Sequence, residues 1–157
     1  MRTGKIKCFL DIAERWAKQS TCLRRAFGAV LVDEDGHIIS TGYNGAPCGQ
    51  EHCTDIGKCW REEHNIPSGT FYEKCNSVHA EMNALLQAGK KAKGSTLYLT
   101  GIDVKTGKYV CILPCFLCAK MLVNAQVKYV WVRDVKGRHE RYTVEQIFFI
   151  RQAEAFK

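Results

Sequence analysis

Two helix openings constrain this chain more than any other feature. Residues 79–89 read "HAEMNALLQAG", which puts a histidine and a glutamate two residues apart at the head of an apolar segment with helical spacing. Residues 114–125 read "PCFLCAKMLVNA", with two cysteines at i, i+3 directly after a proline. A pair at that spacing shares one helix face. In the first turn both sulfurs also lie at the positive end of the helix dipole, which favours the thiolate form that binds metal. If the two openings meet, His79, Cys115 and Cys118 supply one imidazole and two thiolates. That set cancels the charge of Zn²⁺ and leaves a fourth tetrahedral position for water, as in a catalytic site rather than a closed structural one. Glu81 then stands beside the metal without being needed as a ligand, and is free to carry protons. Each piece alone has an ordinary reading: His-x-Glu as a helix start, C-x-x-C as half of a zinc knuckle or a redox pair.

The other cysteines extend the argument. There are nine in all, and the N-terminal "MRTGKIKCFLDIAERWAKQS" interrupts its apolar residues with charge at helical spacing, unlike a signal peptide. The expected compartment is therefore the cytoplasm, where thiols stay reduced and cysteines serve metal binding or thiol chemistry. No membrane is expected to be involved, since no run approaches the roughly 18 to 20 apolar residues of a membrane span. A chain of 157 residues, 46% apolar, suits one core and one domain over 1–157. Its formal charge of +7 favours an anionic partner, either a phosphate-bearing small molecule or a nucleic acid.

Along the chain, residues 5–19 read as an amphipathic helix. Ala29 to Val32 and His37 to Thr41 form a hairpin about Asp33-Glu34-Asp35-Gly36. Residues 45–78 are a Cys-rich insertion with few aliphatics, and a metal clip is a sensible way to order it. A helix from His79 to about Lys90 leads to the strand "STLYLT" and a second hairpin-like piece, "GIDVKTGKYVCIL", turning at Thr106-Gly107. Pro114 is expected at the first position of a helix over 114–125. "VKYVWV" is a strand, and a C-terminal helix is expected over 140–157, with Thr143 and Gln146 as a capping box. Its phenylalanines either pack on the body or meet a partner subunit. The order predicts an α/β fold with a mixed sheet. Two β-α-β passes imply parallel strands beside an antiparallel pair.

The pairing of H-x-E with P-C-x-x-C is the signature of zinc nucleobase deaminases. With "STCLRRAFGAVLV", "STGYNGAPCGQEHC", "HAEMNALL", "STLYLT" and "PCFLCAKMLVNA" in that order, the chain resembles the cytidine and deoxycytidylate deaminase superfamily, and within it the deoxycytidylate (dCMP) deaminases. The resemblance implies a cytidine-deaminase-like fold, three α-β-α layers with a mixed central sheet of about five strands, and hydrolysis of dCMP to dUMP and ammonia, supplying thymidylate synthesis. It implies zinc on His79, Cys115 and Cys118, and proton transfer by Glu81. The backbone N–H of Ala80 and the carbonyl of Leu113 would address the pyrimidine, and Asn44 the sugar, although Asn-Gly is also a plain turn dipeptide. Arg24 would hold the phosphate, with Arg25 in reserve. A second, structural zinc on Cys22, Cys53, Cys59 and Cys75 is implied as well, with His52 or His64 as substitutes and free buried thiols as the alternative. Relatives assemble as hexamers and respond to dCTP and dTTP, so a homo-oligomer and nucleotide effectors, carried with Mg²⁺, are expected.

Cys8 is expected to pack in the first helix, and Cys111 to end a strand. The segment between Thr100 and Pro114 departs from the family's shorter form, and Phe116 is bulky beside Cys115, so both bear on the choice of base. Deamination of another amino-pyrimidine or of tRNA adenosine shares the zinc pattern, but the insertion and "TGYNGAP" fit the nucleotide enzymes better. A catalytically silent, zinc-stapled nucleic-acid-binding module lacks a basic stripe with interleaved aromatics and gives Glu81 no purpose.

Overall fold

The computed structural model describes residues 1–157. Helix α1 (Lys5–Ala17) leads into strands β1 (Arg25–Val32) and β2 (Ile38–Tyr43). The insertion carries only single turns of helix, α2 (Cys53–Ile56), α3 (Trp60–Glu63) and a 3₁₀ turn (Tyr72–Lys74), before α4 (Ala80–Ala88). Then come β3 (Thr96–Asp103), β4 (Tyr109–Val110), α5 (Phe116–Asn124), β5 (Tyr129–Arg133), β6 (His139–Thr143) and α6 (Val144–Ala155). The sheet has six strands in the order β2-β1-β3-β5-β6, with β4 paired to the end of β3.

β1 organises the layers because successive side chains alternate faces and both faces are covered. Ala29 and Leu31 join one core with Leu97, Leu99, Val130 and Val132 under α4, α5 and α6. Val30 and Val32 join Leu10, Ala13 and Tyr98 in a second core under α1. This is the three-layer α-β-α arrangement.

Only β3 and β5 are paired in parallel. β1 lies between β2 and β3 and is antiparallel to both, so these two run the same way without touching and finish at one end of the sheet. The openings of α4 and α5 follow from that shared end. The insertion is pinched off there by an antiparallel bridge between Gly45 and Val78. Gly42 lets α4 approach, since a Cβ on it would collide with the Ala80 carbonyl oxygen and come within 2.7 Å of the Ala84 nitrogen. Ser40 and Asn83 fix the same contact, donating to the carbonyls of Ala84 at 2.7 Å and Tyr43 at 2.8 Å.

Several expectations are corrected. The C-terminal helix does not fill 140–157: residues 139–143 pair with β5 as an edge strand, and the helix starts at Val144. The Thr143 hydroxyl accepts the Gln146 N–H at 3.1 Å while Gln146 accepts the Thr143 N–H at 2.8 Å, the capping box expected there. Pro114 lies one residue before the N-cap Cys115 rather than in the first helical turn. Its side chain is fully buried, and that burial sets its place. Cys8 is exposed on α1 instead of packed, because Leu10, Ala13 and Ala17 form the inner stripe of the helix. Of the phenylalanines of α6, Phe148 packs on the body, its ring 5.7 Å from that of Phe116, while Phe149 is 63% exposed.

Candidate functional site

His79 and Cys115 are the N-cap residues of α4 and α5, and neither side chain caps its own helix. A residue at that position usually spends its side chain on the orphan N–H groups of the first turn. Here both are directed to each other instead: Nδ1 of His79 lies 3.5 Å from Cys115 Sγ and 3.4 Å from Cys118 Sγ. The three donor atoms all lie within 4.8 Å of one another. Cys118, the third residue of α5, is fully buried, and Glu81, the second residue of α4, is 6% exposed.

The electrostatics fit a metal. The hydrogen bond from Cys118 lowers the Cys115 thiol below its ordinary value, against burial and with help from His79. The same bond, with burial and the Glu81 carboxylate, pushes Cys118 up. The pair thus shares a proton where a divalent cation would take both thiolates. Burial pulls the His79 imidazole down, but the bond to Cys115 and the charge of Glu81 outweigh it and raise the imidazole. Burial raises the Glu81 carboxyl despite the charge of His79. One imidazole and two thiolates at two helix N-termini are a donor set for zinc.

One cavity connects these residues to most of the other candidates. Its walls include Ala80, Asn44, Leu113, Arg24 and the four cysteines Cys22, Cys53, Cys59 and Cys75. Ala80 is the first residue of α4, where a backbone N–H has no intrahelical partner. Asn44 is largely committed to β1: its Oδ1 accepts the Phe27 N–H and its Nδ2 donates to the Arg25 carbonyl, both at 2.8 Å. One amide hydrogen and one lone pair are left over. The Leu113 carbonyl already accepts from Arg151 at 2.7 Å. Arg24 leans on Glu62 at 3.8 Å, and Lys105 competes for the same oxygen at 2.9 Å.

Cys22, which precedes β1, lines the cavity with Cys53, Cys59 and Cys75 of the insertion, but these four gather less closely than the first cluster. Burial raises the Cys53 thiol, and the charges of Cys22, Cys59 and Cys75 raise it further. Their sulfurs form no trio with all members within 4.8 Å. Nδ1 of His52, next to Cys53, is buried without a hydrogen-bond partner. Asp33, Asp35 and His37 do gather within that distance, but in the exposed β1–β2 turn, where Asp33 Oδ1 already accepts the backbone N–H groups of Asp35 and His37.

Two arginines escaped the sequence reading. Arg61 is 5% exposed and lines the cavity with no carboxylate on it. It donates to the carbonyls of Pro67 and Thr70, each at 2.7 Å, and its guanidinium lies 4.6 Å from the centre of the Tyr72 ring, which meets His79 edge-on at 5.0 Å. Arg151 reaches from α6 to the residues just before Cys115. The only signal for Arg61 was an arginine in a cysteine-rich stretch, and nothing marked Arg151.

Comparison with known proteins agrees with this geometry. Residues 4–133 match the family described as the cytidine and deoxycytidylate deaminase zinc-binding region. The chain is 34% identical to the deoxycytidylate deaminase of Schizosaccharomyces pombe over 122 residues, covering 78% of this chain but 34% of that longer protein. It is also 34% identical to the deoxycytidylate deaminase of Mycobacterium phage D29 over 127 residues, covering 78% of this chain and 88% of the phage protein. The crystal structure of dCMP deaminase from cyanophage S-TIM5 in complex with dCMP and dUMP aligns with a TM-score of 0.60 at 29% identity, over 85% of each chain.

Proposed function

We propose, since the chain belongs to the cytidine and deoxycytidylate deaminase family, that it hydrolyses dCMP to dUMP and ammonia. The observation that carries this reading is the cluster of His79, Cys115 and Cys118 at two helix openings, with Glu81 buried beside it. His79, Cys115 and Cys118 would hold zinc, which when bound supplies Lewis-acid activation of a water molecule. Glu81 takes a proton from the water, places it on the ring nitrogen N3, and then protonates the departing amine. The Ala80 N–H and the Leu113 carbonyl orient the ring, the first toward the oxygen on C2 and the second toward the exocyclic amine. One C–O bond forms at C4 and one C–N bond breaks, with no redox partner.

The phosphate is assigned to the basic wall of the cavity. Arg24 is the first candidate, since a phosphate dianion outbids a solvent-screened carboxylate 3.8 Å away. Arg25 and Arg61 line the same cavity. Asn44 contributes its remaining amide hydrogen to the sugar. A second zinc is proposed on Cys22, Cys53, Cys59 and Cys75, with His52 as the available substitute. Its support is that the four cysteines line one cavity, where burial and the neighbouring sulfurs disfavour the Cys53 thiolate that a bound cation would stabilise. The exposed Phe149, Ile150 and Phe156 of the C-terminal segment suit a homo-oligomer. No helix is long and apolar enough to cross a membrane, which suits a cytoplasmic enzyme.

The test is ammonia release by zinc-loaded protein from dCMP, CMP, deoxycytidine, dCTP and adenosine in parallel, with and without dCTP or dTTP and Mg²⁺. Selective turnover of dCMP is expected. Turnover confined to adenosine in folded RNA, with free nucleotides inert, overturns the reading.

A further inference from the structure

The Leu113 carbonyl is held by a residue outside the family match. Arg151 of α6 donates from Nη2 to the Leu113 carbonyl at 2.7 Å and from Nε to the Pro114 carbonyl at 2.9 Å. Its Nη1 meets Glu154 at 2.8 Å, which steadies the guanidinium within its own helix. The family match ends at residue 133. Residues 111–115 have no regular secondary structure, so no sheet ladder fixes the direction of these carbonyls. Pro114 has no N–H to anchor the segment either. The guanidinium edge therefore does what a ladder would do elsewhere: a planar fork holds two successive carbonyls in one orientation.

We infer that Arg151 is a positioning residue for the deamination, aiming the Leu113 carbonyl at the exocyclic amine of the substrate. The inference rests on the dCMP reading. A carbonyl oxygen has two lone pairs. Arg151 occupies one, and Leu113 lines the cavity with Cys115, leaving the other for the amine. The amine must be held while it is protonated and leaves, and a small misplacement of its acceptor is felt mainly in the rate of that step. The product dUMP carries an oxygen where the amine stood, so it gains nothing from the Leu113 carbonyl and does not depend on Arg151.

The experiment compares zinc-loaded wild type, Arg151→Ala, Arg151→Lys and Glu154→Gln in dCMP turnover and in calorimetric affinity for dUMP. For Arg151→Ala, kcat is expected to fall by about 10- to 100-fold, with KM and dUMP affinity near the wild-type values. Added guanidinium ion is expected to restore part of kcat to Arg151→Ala and none to Glu81→Ala. Lysine recovers less than guanidinium, because a point donor cannot span two carbonyls. Glu154→Gln keeps both carbonyl bonds and wild-type turnover. Should Arg151→Ala not fold, Arg151→Lys carries the same test through its split between kcat and dUMP affinity. The inference fails if the Arg151 variants keep wild-type kcat. It also fails if dUMP affinity drops in proportion to turnover, the mark of a general loosening. Wild type inert on dCMP defeats the substrate reading and the inference with it, and is told apart by the wild-type arm alone.

Discussion

The body of the protein and its insertion bury one arginine each, and hold it in opposite ways. In the body, Arg133 lies between α1 and β4, bonded to Asp11 at 2.6 Å and to Glu14 and the Tyr109 hydroxyl. Its charge is matched by carboxylates on the face of the sheet away from α4 and α5. In the insertion, Arg61 is bonded only to neutral carbonyls and an aromatic ring, and faces the cavity that reaches His79 and Glu81. A buried cation without a counterion is unfavourable unless an anion arrives. The body thus meets its buried arginine with carboxylates, whereas the insertion leaves Arg61 without one beside the cavity.

The largest effect should come from the body alone. Glu81→Ala removes the proton carrier but none of the metal donors, so turnover of dCMP should fall by about 10²- to 10⁴-fold while zinc content stays at the wild-type value. Near-normal turnover would remove Glu81 from its role and with it the idea that the helix openings carry the chemistry. Next comes Cys53→Ser, which breaks the insertion's thiol cluster. Zinc measured per chain should fall from two to one, with the first site still loaded; two zinc atoms retained would mean that Cys53 is a free thiol. Arg61→Met should then raise KM for dCMP by about 10- to 100-fold, the worth of one charge-assisted bond, and leave deoxycytidine turnover unchanged. Equal losses on both substrates would make Arg61 a loop staple only, and the two arginines would be alike.

The two regions were also unequally legible in the sequence. β1, β2, α4 and α5 could be read because alternation and helical spacing record which face is buried, and because metal donors sit at fixed offsets from helix starts. β6 was lost inside an expected helix, since "HERYT" is polar and an edge strand needs little apolar pattern. Pro114 was misplaced by two positions, since the helix begins at Phe116 and the proline ring is buried ahead of the N-cap, a tertiary event that spacing does not record. The motif around Asn44 said nothing of its two bonds to the backbone of β1, which take half of its side-chain hydrogen-bonding capacity. Arg61 and Arg151 could not be found at all: their partners are backbone carbonyls, which every residue has and which only folding brings within reach.

The smallest effect gives the sharpest contrast between the two arginines. Against burial, hydrogen bonds from Lys7 and Arg133 hold the Asp11 carboxyl below the ordinary carboxylate value, about 3.9. A depressed folded value means that the pair stabilises the fold above the ordinary value, and that this contribution is lost as pH falls through the lowered one. Asp11 is partly exposed, so the contribution is at most about 1 kcal/mol. Asp11→Asn should therefore lower the denaturation midpoint slightly at neutral pH, and match wild type once the medium is acid enough to protonate Asp11 itself. The carbonyls on Arg61 do not titrate, so its truncation should shift the midpoint equally at both pH values. If the Asp11→Asn deficit persisted unchanged in acid, its cause would be packing rather than charge, and Arg133 would be no better compensated than Arg61.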